Sequence, residues 1–234
     1  MLESHELTRL YGGRAAVDHV TLSLEPGHIY AMMGPNGSGK TTWMKMAAGL
    51  VKPSSGAVTF NGSPVGIATR AHIAYMSTEP YFYDWMTVRD AGRYYADFFR
   101  DFSPARYEAL LARLGLDAAA KIKSLSTGMT AKLKLGVTLA RDAAVFMLDE
   151  PFNGIDLLAR DELHTCILDA AREDRLFLIS SHLVEEMETL ADRAVFLSEG
   201  RLIEQRDLEE MRETEGLSLA DRYRQIYGHT EVNA

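Results

Sequence analysis

A single cysteine, Cys166, stands among the 234 residues. One thiol cannot close a disulfide within the chain, which fits a reducing cytosol. Its place in a helical pattern reads as a small core side chain rather than a nucleophile. Long apolar runs are missing too: none reaches the roughly 18 residues that a membrane-crossing helix needs. The opening Met1-Leu2-Glu3-Ser4-His5 lacks the basic and then apolar order of an export signal. Basic charge is in deficit, with 25 Lys and Arg against 33 Asp and Glu and a net charge of -8. That balance argues against a generic nucleic-acid binder, although it leaves room for a local basic patch. No low-complexity segment or internal repeat is present. What remains is an ordinary globular composition, 47% hydrophobic and 25% charged. The length suits one large domain, or one domain carrying an inserted subdomain.

Against that plain background one stretch stands out. Gly34-Pro35-Asn36-Gly37-Ser38-Gly39-Lys40-Thr41-Thr42 is a complete G-x-x-x-x-G-K-[ST] phosphate loop. The apolar run Ile29 to Met33 precedes it and reads as a buried strand; a helical run from Thr42 to Ala48 follows, ending near Gly49. Glycines let the backbone curl so that its N–H groups face inward toward phosphate oxygens. The helix start adds partial positive charge. Lys40 is placed to reach β- and γ-phosphates, and the Thr41 hydroxyl to ligate Mg²⁺. A chance glycine-rich turn would not need strand, loop and helix in that order.

The rest of the chain alternates in kind. Leu7 to Tyr11 and Val20 to Leu24 read as short strands around Gly12-Gly13, and Val58 to Phe60 followed by Asn61-Gly62 as a hairpin. Ile73 to Met76 is a further strand. From about Pro80 to Arg141 the pattern is helical: Val88 to Phe102 carries Tyr94, Tyr95, Phe98, Phe99 and Phe102 at the spacing of a packed helix face. Ser103-Pro104 starts the next helix, which Gly115 ends, and a third runs from about Met129 to Arg141. Strands at Val145 to Leu148, Leu176 to Ile179 and Ala194 to Leu197 then alternate with helices at Leu157 to Glu173 and Leu183 to Ala191. The tail from Leu208 to Gly228 is charged and helical. This rhythm predicts an α/β fold with a mostly parallel sheet, an antiparallel β subdomain and an inserted helical subdomain.

Val145 to Leu148 ends in Asp149-Glu150, so an aspartate falls where open α/β sheets bind ligands. Asp149 is expected to hold Mg²⁺ and Glu150 to polarise an attacking water. His182, after the Ser180-Ser181 that closes the next strand, is placed to reach a γ-phosphate from the far side. Taken alone, each carboxylate could instead cap a helix, and the histidine could be a surface residue.

Taken together and in order, Gly34 to Thr42, Leu125-Ser126-Thr127-Gly128-Met129, Val145 to Glu150 and Ser180-Ser181-His182 resemble the ATP-binding cassette of ABC transporters. The resemblance spans about Leu2 to Glu204, with residues 80–141 as the helical subdomain and 205–234 as a C-terminal helical tail. Leu125 to Met129 stands where that family has its signature, usually Leu-Ser-Gly-Gly-Gln. The resemblance implies head-to-tail cassette dimers, in which Ser126, Thr127 and Gly128 close over nucleotide held by the partner's phosphate loop. It further implies that Tyr11 stacks on adenine and that Asn153 to Asp156 joins the two sites. Catalysis would run by in-line attack of water on MgATP, with Glu150, His182 and Lys40 as its groups.

Two departures stand out. Thr78, in Ser77-Thr78-Glu79, sits where the family has a Mg²⁺-sensing glutamine, and Thr127 and Met129 replace the usual Gly and Gln. They touch coupling and turnover more than nucleotide binding. The aromatic cluster Tyr81-Phe82-Tyr83-Asp84-Trp85 is either a surface for the membrane subunit or helical core. The resemblance implies an exporter motor, cytoplasmic and peripheral on the inner face of the cell membrane. It would dock on a separately encoded membrane-spanning subunit and pair with an identical or related cassette, with no nucleic-acid partner. A soluble cassette ATPase acting on nucleic acid or ribosomes is the alternative. A non-ABC kinase or GTPase leaves Ser126 to Gly128 and Ser181-His182 unexplained.

Overall fold

A computed structural model describes residues 1–228. The strands, in chain order, are β1 (Leu2–Tyr11), β2 (Arg14–Leu24), β3 (Ile29–Met33), β4 (Ser55–Phe60), β5 (Ser63–Pro64), β6 (Ile73–Met76), β7 (Val145–Asp149), β8 (Leu176–Ser181), β9 (Arg193–Ser198) and β10 (Arg201–Asp207). The helices are α1 (Lys40–Ala47), α2 (Val88–Phe98), α3 (Pro104–Arg113), α4 (Thr127–Leu139), α5 (Leu157–Ala170), α6 (Val184–Leu190), α7 (Leu208–Glu215) and α8 (Leu219–Tyr227). Residues 229–234 of the expected tail lie outside the described residues.

Two sheets form. The first is antiparallel, in the order β2-β1-β4-β5. Its hairpins turn at Gly12-Gly13 and Asn61-Gly62, all with positive φ, the two-residue turn whose twist suits paired strands. The second sheet has the order β10-β9-β3-β8-β7-β6. Its strands run parallel except for β10, which returns against β9. Strands β3, β7 and β8 are buried along their whole length. That is why they read as unbroken apolar runs rather than as alternation.

Register decides where the chemistry gathers. Met33 pairs with Ser181 and Asp149 with Ser180. The loop opening at Gly34, the carboxylates that end β7 and the serines that end β8 therefore share one edge of the sheet. Helix α1 lies between the two sheets, with Trp43 and Met44 fully buried in their common core.

Helices α2, α3 and α4 are inserted between β6 and β7. A Thr87–Asp90 capping box starts α2, and Ser103 with Pro104 starts α3. A Cβ at Gly92 would collide with the ring of Tyr107. That close approach seats the Tyr107 hydroxyl, which donates to the Val88 carbonyl at 2.6 Å.

The expected helix from Val88 to Phe102 stops at Phe98, because Phe99 is already extended. Its aromatic stripe also divides. Tyr94 packs tilted against Phe98 and Tyr95 against Phe99, two i,i+4 pairs about 100° apart around the helix axis. Only one pair can face the core. Tyr95, Phe99 and Phe102 pack inward, while Tyr94 and Phe98 face solvent. The expected helix from Leu157 to Glu173 likewise ends at Ala170, where Ala171 turns extended. Cys166 is buried on α5, and burial pushes its thiol pKa up.

Candidate functional site

The phosphate loop is built by close approach. Gly34, Gly37 and Gly39 all take positive φ. At Gly39 a Cβ would also stand 2.5 Å from the Ala16 carbonyl. Only glycine meets both conditions there. Pro35, Asn36 and Gly37 form the rim, where Asn36 and Gly37 are exposed. Lys40 is buried and donates its ammonium to the carbonyls of Gly34 at 2.6 Å and Pro35 at 3.1 Å. Burial lowers its pKa, and the charges of Glu150 and Asp149 pull the other way. The Ser38 hydroxyl is buried with no partner among the described residues, the kind of group a phosphate oxygen satisfies. Thr42 follows in the first turn of α1, half-buried.

Asp149 is fully buried at the end of β7. Its Oδ1 accepts from Ser180 Oγ at 2.6 Å and Thr41 Oγ1 at 3.1 Å, and its Oδ2 from the Tyr75 hydroxyl at 3.1 Å. The donors hold an acceptor-only carboxylate in one orientation. Thr41 and Asp149 are hard oxygen donors beside the phosphate loop. That set fits Mg²⁺, which takes one or two carboxylates, a hydroxyl and substrate phosphates.

Glu150 leaves the strand at a φ of 49°, a left-handed conformation that a non-glycine residue adopts only when its surroundings hold it. Its N–H donates to the Ser180 carbonyl and hydroxyl, at 3.1 and 3.0 Å. Thus fixed, its Oε2 meets His182 Nδ1 at 2.8 Å. The other ring nitrogen, Nε2, has no hydrogen-bond partner among the described residues.

The stretch Ser126-Thr127-Gly128 forms the N-terminus of α4, with Ser126 and Thr127 exposed and Gly128 half-buried. Ser126 caps it by accepting from the Met129 N–H at 3.2 Å. This is why the helix begins at Thr127, ahead of the expected Met129. A Cβ on Gly154 would lie 3.2 Å from Thr127, and one on Gly128 would lie 3.5 Å from Ile155. The helix start and the Asn153 to Asp156 loop are therefore neighbours. Tyr11 closes β1 with its ring 47% exposed and the Arg9 guanidinium 4.6 Å above it; it is not a core aromatic.

Thr78 lies with Asp149, Glu150, Thr127 and Asn153 around one cleft of ≈ 370 Å³. Its carbonyl accepts from Lys134 at 2.9 Å. Two residues at this site, Tyr75 and Lys134, are not marked by any motif, and Ser180 has a role beyond its place before His182. Tyr75 and Ser180 orient Asp149, and Lys134 holds the Thr78 loop. The available signals were faint: a tyrosine on β6, a serine before His182, and a lysine between Leu133 and Leu135.

Comparison with known proteins bears on what this geometry serves. A family model described as "ABC transporter" matches residues 17–153. The chain is 31% identical over 216 residues to the ABC transporter ATP-binding protein YtrB of Bacillus subtilis (strain 168), covering 91% of this chain and 74% of that protein. It is 33% identical over 205 residues to the lantibiotic transport ATP-binding protein SrtF of Streptococcus pyogenes, covering 87% of this chain and 89% of that protein. Among solved structures, an ATP-binding subunit of an ABC transporter superposes with a TM-score of 0.85 at 28% identity, covering 97% and 99% of the two chains. A nucleotide-free cassette superposes at 0.79 with 21% identity, over 93% of this chain and 95% of that one; that likeness concerns the fold.

Proposed function

The chain belongs to the ABC transporter family as an ATP-binding, ATP-hydrolysing subunit, and from that premise we propose that it drives an exporter by MgATP-dependent pairing of cassettes. The observation that carries the mechanism is the Glu150–His182 contact at 2.8 Å, one strand away from the lysine-bearing loop. In this reading Lys40 exchanges its Gly34 and Pro35 carbonyls for phosphate oxygens. The N–H groups of Gly37, Ser38 and Gly39 and the hydroxyls of Ser38, Thr41 and Thr42 surround the phosphates. Thr41 and Asp149 would hold Mg²⁺, which when bound neutralises phosphate charge. Thr78 stands nearby as a weaker oxygen donor. Glu150 orients the attacking water and takes its proton, while His182 holds the Glu150 carboxylate through Nδ1 and stands beside the γ-phosphate. Tyr11 offers its exposed ring to adenine. Ser126 and Thr127 are exposed and Gly128 half-buried on their own subunit, in keeping with a lid for a second copy's nucleotide.

The exporter assignment draws support from relatives named for lantibiotic and bacitracin transport. We assign the cassette to residues 2–204, with residues 80–141 as its helical subdomain and a helical tail behind. Among the described residues no helix is long and apolar enough to cross a membrane. The membrane contact is therefore assigned to a partner subunit. A groove of ≈ 640 Å³ lined by Pro80, Tyr81, Tyr94 and Phe98, beside exposed Tyr83 and Trp85, is the surface proposed to receive it. That contact would place the chain at the inner face of the membrane.

The test is Glu150→Gln with MgATP at saturation. Loss of phosphate release, with accumulation of a dimer by size-exclusion chromatography, is expected. A variant that keeps hydrolysing, or stays monomeric, would refute the paired mechanism.

A further inference from the structure

The Ser77-Thr78-Glu79 loop, which joins β6 to the helical layer, is gripped from two sides. From the helical side, Lys134 of α4 donates its ammonium to the carbonyls of Ser77 at 3.0 Å, Thr78 at 2.9 Å and Glu79 at 2.9 Å. From the other side, Lys45 of α1 forms a surface ion pair with the Glu79 carboxylate at 2.7 Å. Lys134 is 8% exposed, and the Tyr81 ring lies 5.1 Å from its nitrogen. An ammonium has three donors, and three convergent carbonyls use all of them. Burying that charge costs free energy that an alanine or leucine between Leu133 and Leu135 would not incur. Packing alone therefore does not account for a lysine at this position.

The loop is also a shared wall. Ser77, Thr78 and Pro80 line the cleft that holds Asp149 and Glu150. Ser77, Glu79 and Pro80 line the aromatic groove with Tyr94 and Phe98. Lys134 ties that wall to α4, whose first turn presents Ser126, Thr127 and Gly128.

We infer that Lys134 is a positioning residue that latches the Ser77–Glu79 loop to α4, making the Asp149–Glu150 cleft, the Ser126 helix start and the aromatic groove move as one body. The latch works through main-chain carbonyls, so it does not depend on the short Thr78 side chain. The inference rests on the hydrolytic reading of the site given above.

The test uses the full chain with Lys134→Met, which keeps the aliphatic stem and removes the ammonium. MgATP affinity by equilibrium dialysis should stay within about twofold, because Lys134 touches none of the phosphate-loop residues. The kcat should fall roughly tenfold or more with KM little changed, the mark of misplaced groups rather than lost binding. A second readout needs no turnover. Trp43 is 0% exposed and Trp85 is 66% exposed, so acrylamide quenching reports on Trp85 at the groove. MgATP should change that quenching in the native chain and leave it unchanged in Lys134→Met.

Native kcat in the variant, an undiminished Trp85 response, or no response in the native chain would overturn the latch. Should Lys134→Met fail to melt cooperatively, Lys134→Gln takes its place, with a smaller loss of kcat and a weakened Trp85 response expected; native values for both would overturn the proposal. If the native chain binds MgATP without hydrolysing it, the hydrolytic reading fails by itself, and the quenching comparison still decides the latch.

Discussion

Glu150 and His182, 32 residues apart in the chain, meet at 2.8 Å between Oε2 and Nδ1. The meeting depends on two separate features. Pairing of Asp149 with Ser180 puts the ends of β7 and β8 side by side. The left-handed backbone of Glu150 then swings its carboxylate off the strand and toward the histidine. A carboxylate that orients a histidine also fixes which ring nitrogen faces the ligand.

His182→Ala should therefore leave MgATP binding within about threefold and lower phosphate release roughly 100-fold, the range for loss of a catalytic acid–base or positioning group. Single-turnover phosphate release compared with equilibrium binding separates the two effects. A variant retaining half its turnover would remove His182 from the mechanism.

Ser126 caps α4 and, in the paired reading, also serves a second copy's nucleotide; Ser126→Ala should reveal both. Loss of the cap on α4 should lower unfolding free energy by about 1 kcal/mol, read by urea titration. MgATP affinity of the single chain should hold, because in the paired reading Ser126 closes over the other copy's nucleotide. Turnover should lose its dependence on protein concentration. Weakened binding in dilute single chains would point instead to a role within one subunit.

The last residue of α8 reaches the base of the phosphate loop. The buried Tyr227 hydroxyl contacts the carbonyls of Leu197 at 2.8 Å and Met33 at 3.3 Å, and Met33 directly precedes Gly34. Burial pushes this phenol above its usual pKa range. Tyr227→Phe leaves both carbonyls without that donor and should cost about 1–2 kcal/mol. Chemical denaturation measures the loss, and an unchanged midpoint would mean that water replaces the hydroxyl at no cost.

The same tail should contribute to acid sensitivity. Arg222 of α8 holds Glu204 of β10 through contacts of 2.6 and 2.7 Å. Hydrogen bonds from Arg222 lower the Glu204 pKa from its ordinary 4.5. A depressed carboxylate pKa adds stability above the unfolded value, and the contribution fades as pH falls through the folded value. Glu204→Gln should thus be less stable than the native chain at pH 7, with the gap narrowing below about pH 4.5. Denaturant midpoints measured across pH 3 to 7 give the curve. A gap that does not vary with pH would exclude the ion pair as its source.

Packing at Gly92 should be equally sensitive. The Tyr107 ring occupies the space where a Cβ would go. Gly92→Ala should cost about 1–3 kcal/mol by forcing the ring or α2 aside, although alanine favours helix. A more stable variant in thermal melts would show that the helices have room to shift.

Much of the fold could be read from local pattern. The phosphate loop, the buried strands β3, β7 and β8, the Ser103-Pro104 helix start and the glycine turns all depend on neighbours in sequence. Their spacing constrains backbone conformation directly, through positive φ, capping and apolar period. The residues proposed for the nucleotide site, Lys40, Thr41, Asp149, Glu150 and His182, could be picked out for the same reason, since each closes or follows a strand in a recognisable order.

Tertiary structure decided what depends on contacts between distant segments. Helical spacing cannot tell which of Tyr94 and Tyr95 faces inward; the neighbours of α2 settle that. Nothing near Lys134 in sequence announces the three carbonyls it holds, because they arrive on a loop more than fifty residues earlier. Tyr75 on Asp149 and Tyr227 beneath Gly34 belong to the same class. A hydrogen bond across strands or helices requires coordinates that periodicity does not contain, so the residues that steady this site emerged only once the chain was folded.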